Sequence, residues 1–197
     1  MIPTDFTFVG KHYAARTHEK MREVLMNPDA PGPEVHYYMI RGGETQRNIT
    51  VWEPGLVGGE YIKTYGHYHV GELDETYWII FGEGLILKQK MTNDPTVVEE
   101  FSITRVTQGD SVFLAPGYGH LAINIGSTFF VTADDSPVRF DDPDPAGLPG
   151  HADYEPVRKM RGFAYYVIEQ NGGPALVRNT NYAAIRKEDL AGLLVVK

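Results

Sequence analysis

Short apolar runs, each stopped by a turn signal, repeat along the chain from residue 34. They are EVHYYMI (34–40) before RGG, RNITVWE (47–53) before PGLVGG, EYIKTYGHYHV (60–70) before GELD, TYWIIF (76–81) before GEG, and LILKQKM (85–91) before TNDP. The series continues with VEEFSITRV (98–106), SVFLAP (111–116), LAINI (121–125) and TFFVTA (128–133). β-Branched and aromatic residues recur in these runs, and their close spacing predicts an all-β sandwich or barrel. FAYYVIEQ (163–170), the turn NGG and PALVRN (174–179) predict a hairpin. In ARTHEKMREVLMN (15–27), Met21, Leu25 and Met26 recur at near-helical spacing, which predicts a helix ended by PDAPGP. The tail, NYAAIRKEDLAGLLVVK, predicts a second short helix. DDSPVRFDDPDPAGLPG (134–150) reads as a long irregular loop, with its acidic run at 134–144 in solvent.

Composition narrows the picture. The chain has 197 residues, 42% of them hydrophobic, which suffices for one sizeable core. The expected organisation is a single domain, 1–197. The formal net charge of −8 argues against nucleic acid or an anionic membrane surface as partner. There are no cysteines, so disulfides, thiolate metal sites and a Cys nucleophile are excluded. No apolar run reaches the length of a membrane span, and the first residues lack a signal-peptide pattern. A soluble, cytoplasmic protein is the resulting expectation.

The chemistry concentrates in GHYHVGELDETY (66–77). On an extended strand His67 and His69 point to one face. Glu75 follows across a short loop, so a hairpin can bring its carboxylate opposite them. His120 lies in a later run, GYGHLAIN. Three imidazoles and one carboxylate form a borderline N/O donor set, suited to Fe(II), Mn(II), Ni(II), Co(II) or Zn(II). Glu72 and Asp74 read as solvated loop residues, and His12 and His18 as surface residues. Parity places Glu75, Tyr77, Ile79 and Phe81 on one face. Thr64 reaches the His67 face only if Gly66 marks a bulge.

These residues carry a resemblance to the cupins. His67-x-His69 is followed by Glu75 and, after six residues, Gly82; Gly109, Pro116, His120 and Asn124 follow in the order of the second cupin motif. The loop before Glu75 is one residue longer than the cupin pattern, the leading Gly of the first motif is replaced by Tyr61, and Pro116 sits one position late. The resemblance implies a double-stranded β-helix (jelly-roll) barrel with short N-terminal and C-terminal helical additions. YIKTYGHYHVGELDETYWIIFGEG resembles more closely the metal-site segment of the archaeal-type, cupin-type phosphoglucose isomerases. ITVWEPGLVGGEY, LAPGYGHLAINIG and GHADYEPVRKMRGFAYYVIEQNGG resemble further segments of that family. Similarity covers roughly residues 33–180, the expected barrel core.

The resemblance implies one divalent metal ion per subunit, iron before manganese, nickel, cobalt or zinc. His67, His69, Glu75 and His120 would hold it, with Glu75 also a candidate catalytic base near C1 and C2 of the sugar. Thr50, Thr64, Gly66, His151 and Tyr154 would surround the substrate, mainly at its phosphate end, and Tyr77 would line the pocket. A further family tyrosine falls at His36, Tyr37 or Tyr38. The implied activity is glucose-6-phosphate isomerisation in glycolysis and gluconeogenesis by a homodimer, through an enediol or a metal-assisted hydride shift. A dioxygenase, a sugar-acid isomerase and a non-catalytic sugar-binding cupin are the alternatives. Oxygen consumption distinguishes the first, and full metal occupancy without hexose-phosphate turnover the last.

Overall fold

A computed structural model describes residues 13–42, 47–137 and 152–196. The chain opens with β1 (Tyr13–Thr17), α1 (His18–Met21) and a 3-10 turn (Arg22–Val24), then β2 (Val35–Ile40), β3 (Asn48–Trp52), β4 (Leu56–Val57) and β5 (Glu60–Tyr61). The central strands are β6 (Tyr68–His69), β7 (Glu75–Phe81), β8 (Glu83–Met91), β9 (Val97–Thr107), β10 (Ser111–Leu114), β11 (Gly119–Asn124) and β12 (Phe130–Asp134). β13 (Ala152–Asp153), α2 (Glu155–Lys159), β14 (Tyr165–Gln170), β15 (Gly173–Arg178), β16 (Ala184–Asp189) and β17 (Val195–Val196) complete it.

The fold is the all-β cupin type that the motifs imply. A six-stranded sheet runs β1-β2-β3-β12-β7-β10, and a four-stranded sheet runs β11-β8-β9-β16. A five-stranded sheet, β17-β15-β14-β5-β4, and the pair β13-β6 accompany them, and the sheets do not join into one closed ladder among the described residues. Trp52 and Phe130 pack at 5.1 Å between ring centroids within one large apolar cluster that also takes in Leu85, Ile86 and Leu87. Those three consecutive residues of β8 are all buried, so both faces of that strand are covered.

Three departures from the sequence pattern have clear causes. Residues 15–17, where the spacing predicts the start of a helix, belong instead to β1, because β2 offers an edge and pairs with β1 from Tyr13↔Ile40 to Arg16↔Tyr37. Within residues 15–27 helical structure runs only over His18–Val24. The short C-terminal helix expected in the tail is absent from the described residues. β16 instead adds in parallel to β9, and β17 to β15, satisfying two strand edges. Phe81 leaves the inward face of β7 because Ile79 and Phe81 pair with successive residues of β12, Thr132 and Val131. That bulge turns Ile80 and Phe81 outward.

His18 is not a simple surface residue. Its Nδ1 lies 3.0 Å from Nε2 of His36, which is fully buried. Burial, then the nearby His18 and Lys63, lower the pKa of His36 to about 4. The unfolded chain therefore binds a proton at His36 before the folded one does. Stability should fall as the pH drops from about 6.5 towards about 4, by on the order of 2–3 kcal/mol from this residue. Urea midpoints across that range are expected to slope less in His36→Gln than in the parent protein, and equal slopes would refute the assignment.

Candidate metal centre and substrate pocket

The histidine pair sits on an interrupted strand. EYIKTYGHYHV does not form one continuous strand but leaves β5 at Tyr61 and resumes at Tyr68 in β6. Gly66 adopts φ +80°, and a Cβ there would sit 3.0 Å from the Phe163 ring. The irregularity resolves the parity conflict, since Thr64, Gly66 and His67 all line one pocket.

Backbone pairing then locks the histidines together. His67 N–H donates to His120 O at 3.2 Å, and His120 N–H returns to His67 O at 3.0 Å. Glu75 enters as the first residue of β7, opposite Leu114 of β10. The longer loop before it has a use: Leu73 O lies 3.0 Å from Nδ1 of His69. A carbonyl only accepts, so Nδ1 carries the proton and Nε2 keeps its lone pair for the centre.

One donor atom each from His67, His69, Glu75 and His120 lies within 4.8 Å of all the others. Glu75 Oε2 stands 3.1 Å from Nε2 of both His69 and His120. Among the described residues neither Glu75 Oε2 nor His120 Nε2 makes a hydrogen bond of acceptable angle, and both are buried. Lone pairs aimed at a common point fit an ion better than a proton. Ligands at right angles with bonds of about 2.1 Å stand about 3 Å apart, which matches the 3.1 Å from Glu75 to each of His69 and His120. The group can hold a metal ion.

The electrostatics agree. Burial opposes ionisation of Glu75, but the adjacent imidazoles of His120, His69 and His67 together outweigh it and hold the carboxyl well below the usual range. For His69 burial favours the neutral ring, while Glu75 and Leu73 O more than offset it and raise the pKa. The protein favours a carboxylate at the centre before any ion is considered.

Of the residues assigned to substrate, Thr50, Thr64, Gly66, Tyr77 and Tyr154 all line this pocket. Thr64 Oγ1 also accepts the Ala122 N–H at 3.0 Å. His151 and His12 lie outside the described residues. Among the three early-strand candidates, Tyr37 lines the pocket, while His36 pairs with His18. The cavity beside the four-donor group measures about 40 Å³. That holds little more than one water, so a sugar phosphate requires the lining to move.

Arg41, Asp134 and Arg16 escaped the sequence reading. Arg41 follows Tyr37 and Met39 at intervals of two, and all three line the pocket. Asp134 is the last residue of β12 and buried, although the acidic run read as solvent-exposed. It shares a face with Phe130 and Thr132, so the same period-two signal was available. Its carboxylate accepts from Asn48 Nδ2 at 2.6 Å, and burial and then Glu75 push its pKa up to about 7. Arg16 lay in the segment read as a helix.

The sequence comparisons with known proteins agree with one another. The sequence model described as Glucose-6-phosphate isomerase (GPI) matches residues 35–185. A glucose-6-phosphate isomerase of Thermococcus litoralis is 33% identical over 132 residues, covering 66% of this chain and 60% of that protein. One of Thermococcus gammatolerans is 30% identical over 170 residues, covering 84% of this chain and 80% of that protein. Among solved structures, the capsular polysaccharide assembling protein CapF of Staphylococcus aureus aligns with a TM-score of 0.40 and 20% identity, covering 55% of this chain and 30% of that one.

Proposed function

Since the chain belongs to the glucose-6-phosphate isomerase family, we propose that it interconverts glucose 6-phosphate and fructose 6-phosphate with one divalent ion held by His67, His69, Glu75 and His120. The observation that carries this reading is the convergence of those four donor atoms, two of them from His67 and Glu75, which line a pocket with Thr50, Thr64, Gly66, Tyr77 and Tyr154. Four protein ligands leave room on a six-coordinate ion for substrate oxygens, and the donor set favours iron or a neighbouring first-row metal. Glycolysis and gluconeogenesis are the pathways in which such an activity belongs.

Isomerisation moves one hydrogen between C1 and C2, with matching O–H shifts. A bound divalent ion supplies Lewis-acid stabilisation of the oxygen on which charge develops. The chain's own part begins with Glu75, whose carboxylate is kept ionised, lines the pocket, and would carry the proton between C1 and C2. Tyr77 and Tyr154 keep their phenolic protons, Tyr154 because burial and the neighbouring Tyr37 push its pKa up to about 12. They therefore serve as neutral hydrogen-bond donors to sugar oxygens. Thr50, Thr64 and the Gly66 N–H address the phosphate end, and His151 is assigned there from the family pattern.

A homodimer completes the reading. Neighbouring strands of the six-stranded sheet carry Ile80, Phe81 and Phe113, which are 46–56% exposed, a surface suited to a second copy. No described helix is long and apolar enough to cross a membrane.

The test is a coupled assay of fructose 6-phosphate conversion before and after EDTA, with Fe(II), Mn(II), Ni(II), Co(II) and Zn(II) added back singly. Activity should vanish with chelation and return with at least one metal. No activity with any of them defeats the proposal. Transfer of solvent deuterium to C2 of recovered glucose 6-phosphate supports proton removal by Glu75, and none after many turnovers supports a hydride shift.

A further inference from the structure

Arg16 lies on β1, ahead of the span that the family model matches. It faces Tyr37 across the β1–β2 ladder and is only 9% exposed. Its Nε donates to the Tyr37 hydroxyl at 3.1 Å. Its guanidinium carbon lies 6.0 Å from the ring centroid of Tyr37 and 5.9 Å from those of Tyr65 and Tyr154. Among the described residues no carboxylate comes within ion-pair distance of it. The exposed Arg22 and Arg158 nearby are both paired with acids.

Burying a guanidinium without a counter-ion is costly, and three tyrosine faces recover only part of that cost. Its remaining N–H groups border open space, where an anion can reach them. Arg16 borders a cleft of about 720 Å³ together with Tyr65 and Tyr154. Tyr154 also lines the pocket beside the metal ligands, its ring centroid 5.3 Å from that of His67.

The Tyr37 hydroxyl connects this cation to the phosphate end of the pocket. It accepts from Arg16 Nε and, at 3.3 Å, from the backbone N–H of Tyr65, which stands between Thr64 and Gly66. Two N–H donors occupy its lone pairs, so its own O–H proton is left to point elsewhere, and Tyr37 lines the pocket. A hexose 6-phosphate extends roughly 8 Å from C1 to phosphorus, at about 1.2 Å of advance per bond. Arg16 and His67 each approach the Tyr154 ring within 6 Å, a separation such a molecule can bridge.

We propose that Arg16 and the Tyr37 hydroxyl form the charged half of the phosphate subsite, beside the neutral donors at Thr64 and Gly66. The sugar assigned to the site rests on the isomerase reading, whereas the anion subsite rests on Arg16 itself. A guanidinium grips phosphate with two parallel N–H donors, which lysine cannot reproduce.

The experiment uses the full, metal-loaded chain. Steady-state kinetics with fructose 6-phosphate and calorimetric titration with inorganic phosphate are run on the parent protein, Arg16→Gln, Arg16→Lys and Tyr37→Phe. Arg16→Gln should raise KM about 10- to 100-fold, change kcat less than KM, and weaken phosphate binding by a similar factor. Arg16→Lys should fall between it and the parent, and Tyr37→Phe should move both readouts in the same direction by less. Phosphate affinity and KM within twofold of the parent in folded Arg16→Gln overturn the proposal. If Arg16→Gln does not fold, Arg16→Lys decides, and parental affinity in that variant overturns it too. A parent protein that turns over no hexose phosphate, yet binds phosphate through Arg16, defeats the isomerase reading and supports the anion subsite.

Discussion

The Glu75→Gln variant is expected to fold, to lose most of its bound metal, and to isomerise fructose 6-phosphate about 10²–10⁴-fold more slowly. Glutamine matches glutamate in size, so the buried first residue of β7 keeps its packing. What changes is the charge. Glu75 Oε2 is the sole carboxylate oxygen in the four-donor group, 3.1 Å from two imidazole nitrogens. A neutral amide oxygen is the poorer ligand, and an amide rotated the other way would aim N–H groups at the ion. Metal content measured beside the kinetics separates two roles. If Glu75 only holds the ion, saturating metal restores the rate along with occupancy. If it also carries the proton between C1 and C2, occupancy returns and the rate does not. Full metal content together with parental kcat/KM would eliminate both roles.

Strands were legible where local pattern and tertiary context agree. Val35–Ile40, Asn48–Trp52, Glu83–Met91 and the hairpin from Tyr165 to Arg178 all fall on runs that the sequence marks by apolar content and turn residues. The four-donor group was legible for a related reason: His67, His69 and Glu75 are close in sequence, and a single loop brings them together. His120 needed the second motif, because only the pairing of His67 with His120 places it.

The failures share the opposite cause. Residues 15–17 have acceptable helix propensity, yet a free strand edge on β2 decides their conformation. With that strand misread, no parity argument could turn Arg16 inward. The tail failed in the same way, since β9 and β15 supply edges that the local pattern does not announce. Thr64 was undecidable by parity alone because Gly66 breaks the strand between it and His67. Asp134 is a different case. Its alternation with Phe130 and Thr132 was readable, but the following acidic, proline-rich segment made it look like loop.

Lys63→Met is expected to destabilise the fold by about 3–5 kcal/mol, the usual cost of leaving a buried charge unpaired. Lys63 and Glu60 form an ion pair with both side chains 3% exposed or less. Lys63 Nζ also donates to Val24 O at 2.7 Å and lies 4.9 Å from the Tyr166 ring centroid. The second Glu60 oxygen accepts the Met26 N–H at 2.8 Å. The pair thus ties residues 24–26 to the chain just before the metal strand. Methionine fills the space of the lysine stem but strands the Glu60 carboxylate among apolar groups. Adding Glu60→Gln removes that charge and keeps an acceptor for Met26. The double variant should therefore be more stable than Lys63→Met alone, a coupling that urea midpoints on the four proteins of the cycle measure directly. Additive losses would mean that Lys63 acts mainly through Val24 O and its packing on Tyr166. Because the same contacts hold the segment that follows β1, Lys63→Met should also weaken phosphate binding at Arg16 before global unfolding begins. Titration with inorganic phosphate at sub-denaturing urea tests this, and parental affinity up to the unfolding midpoint would disconnect the two.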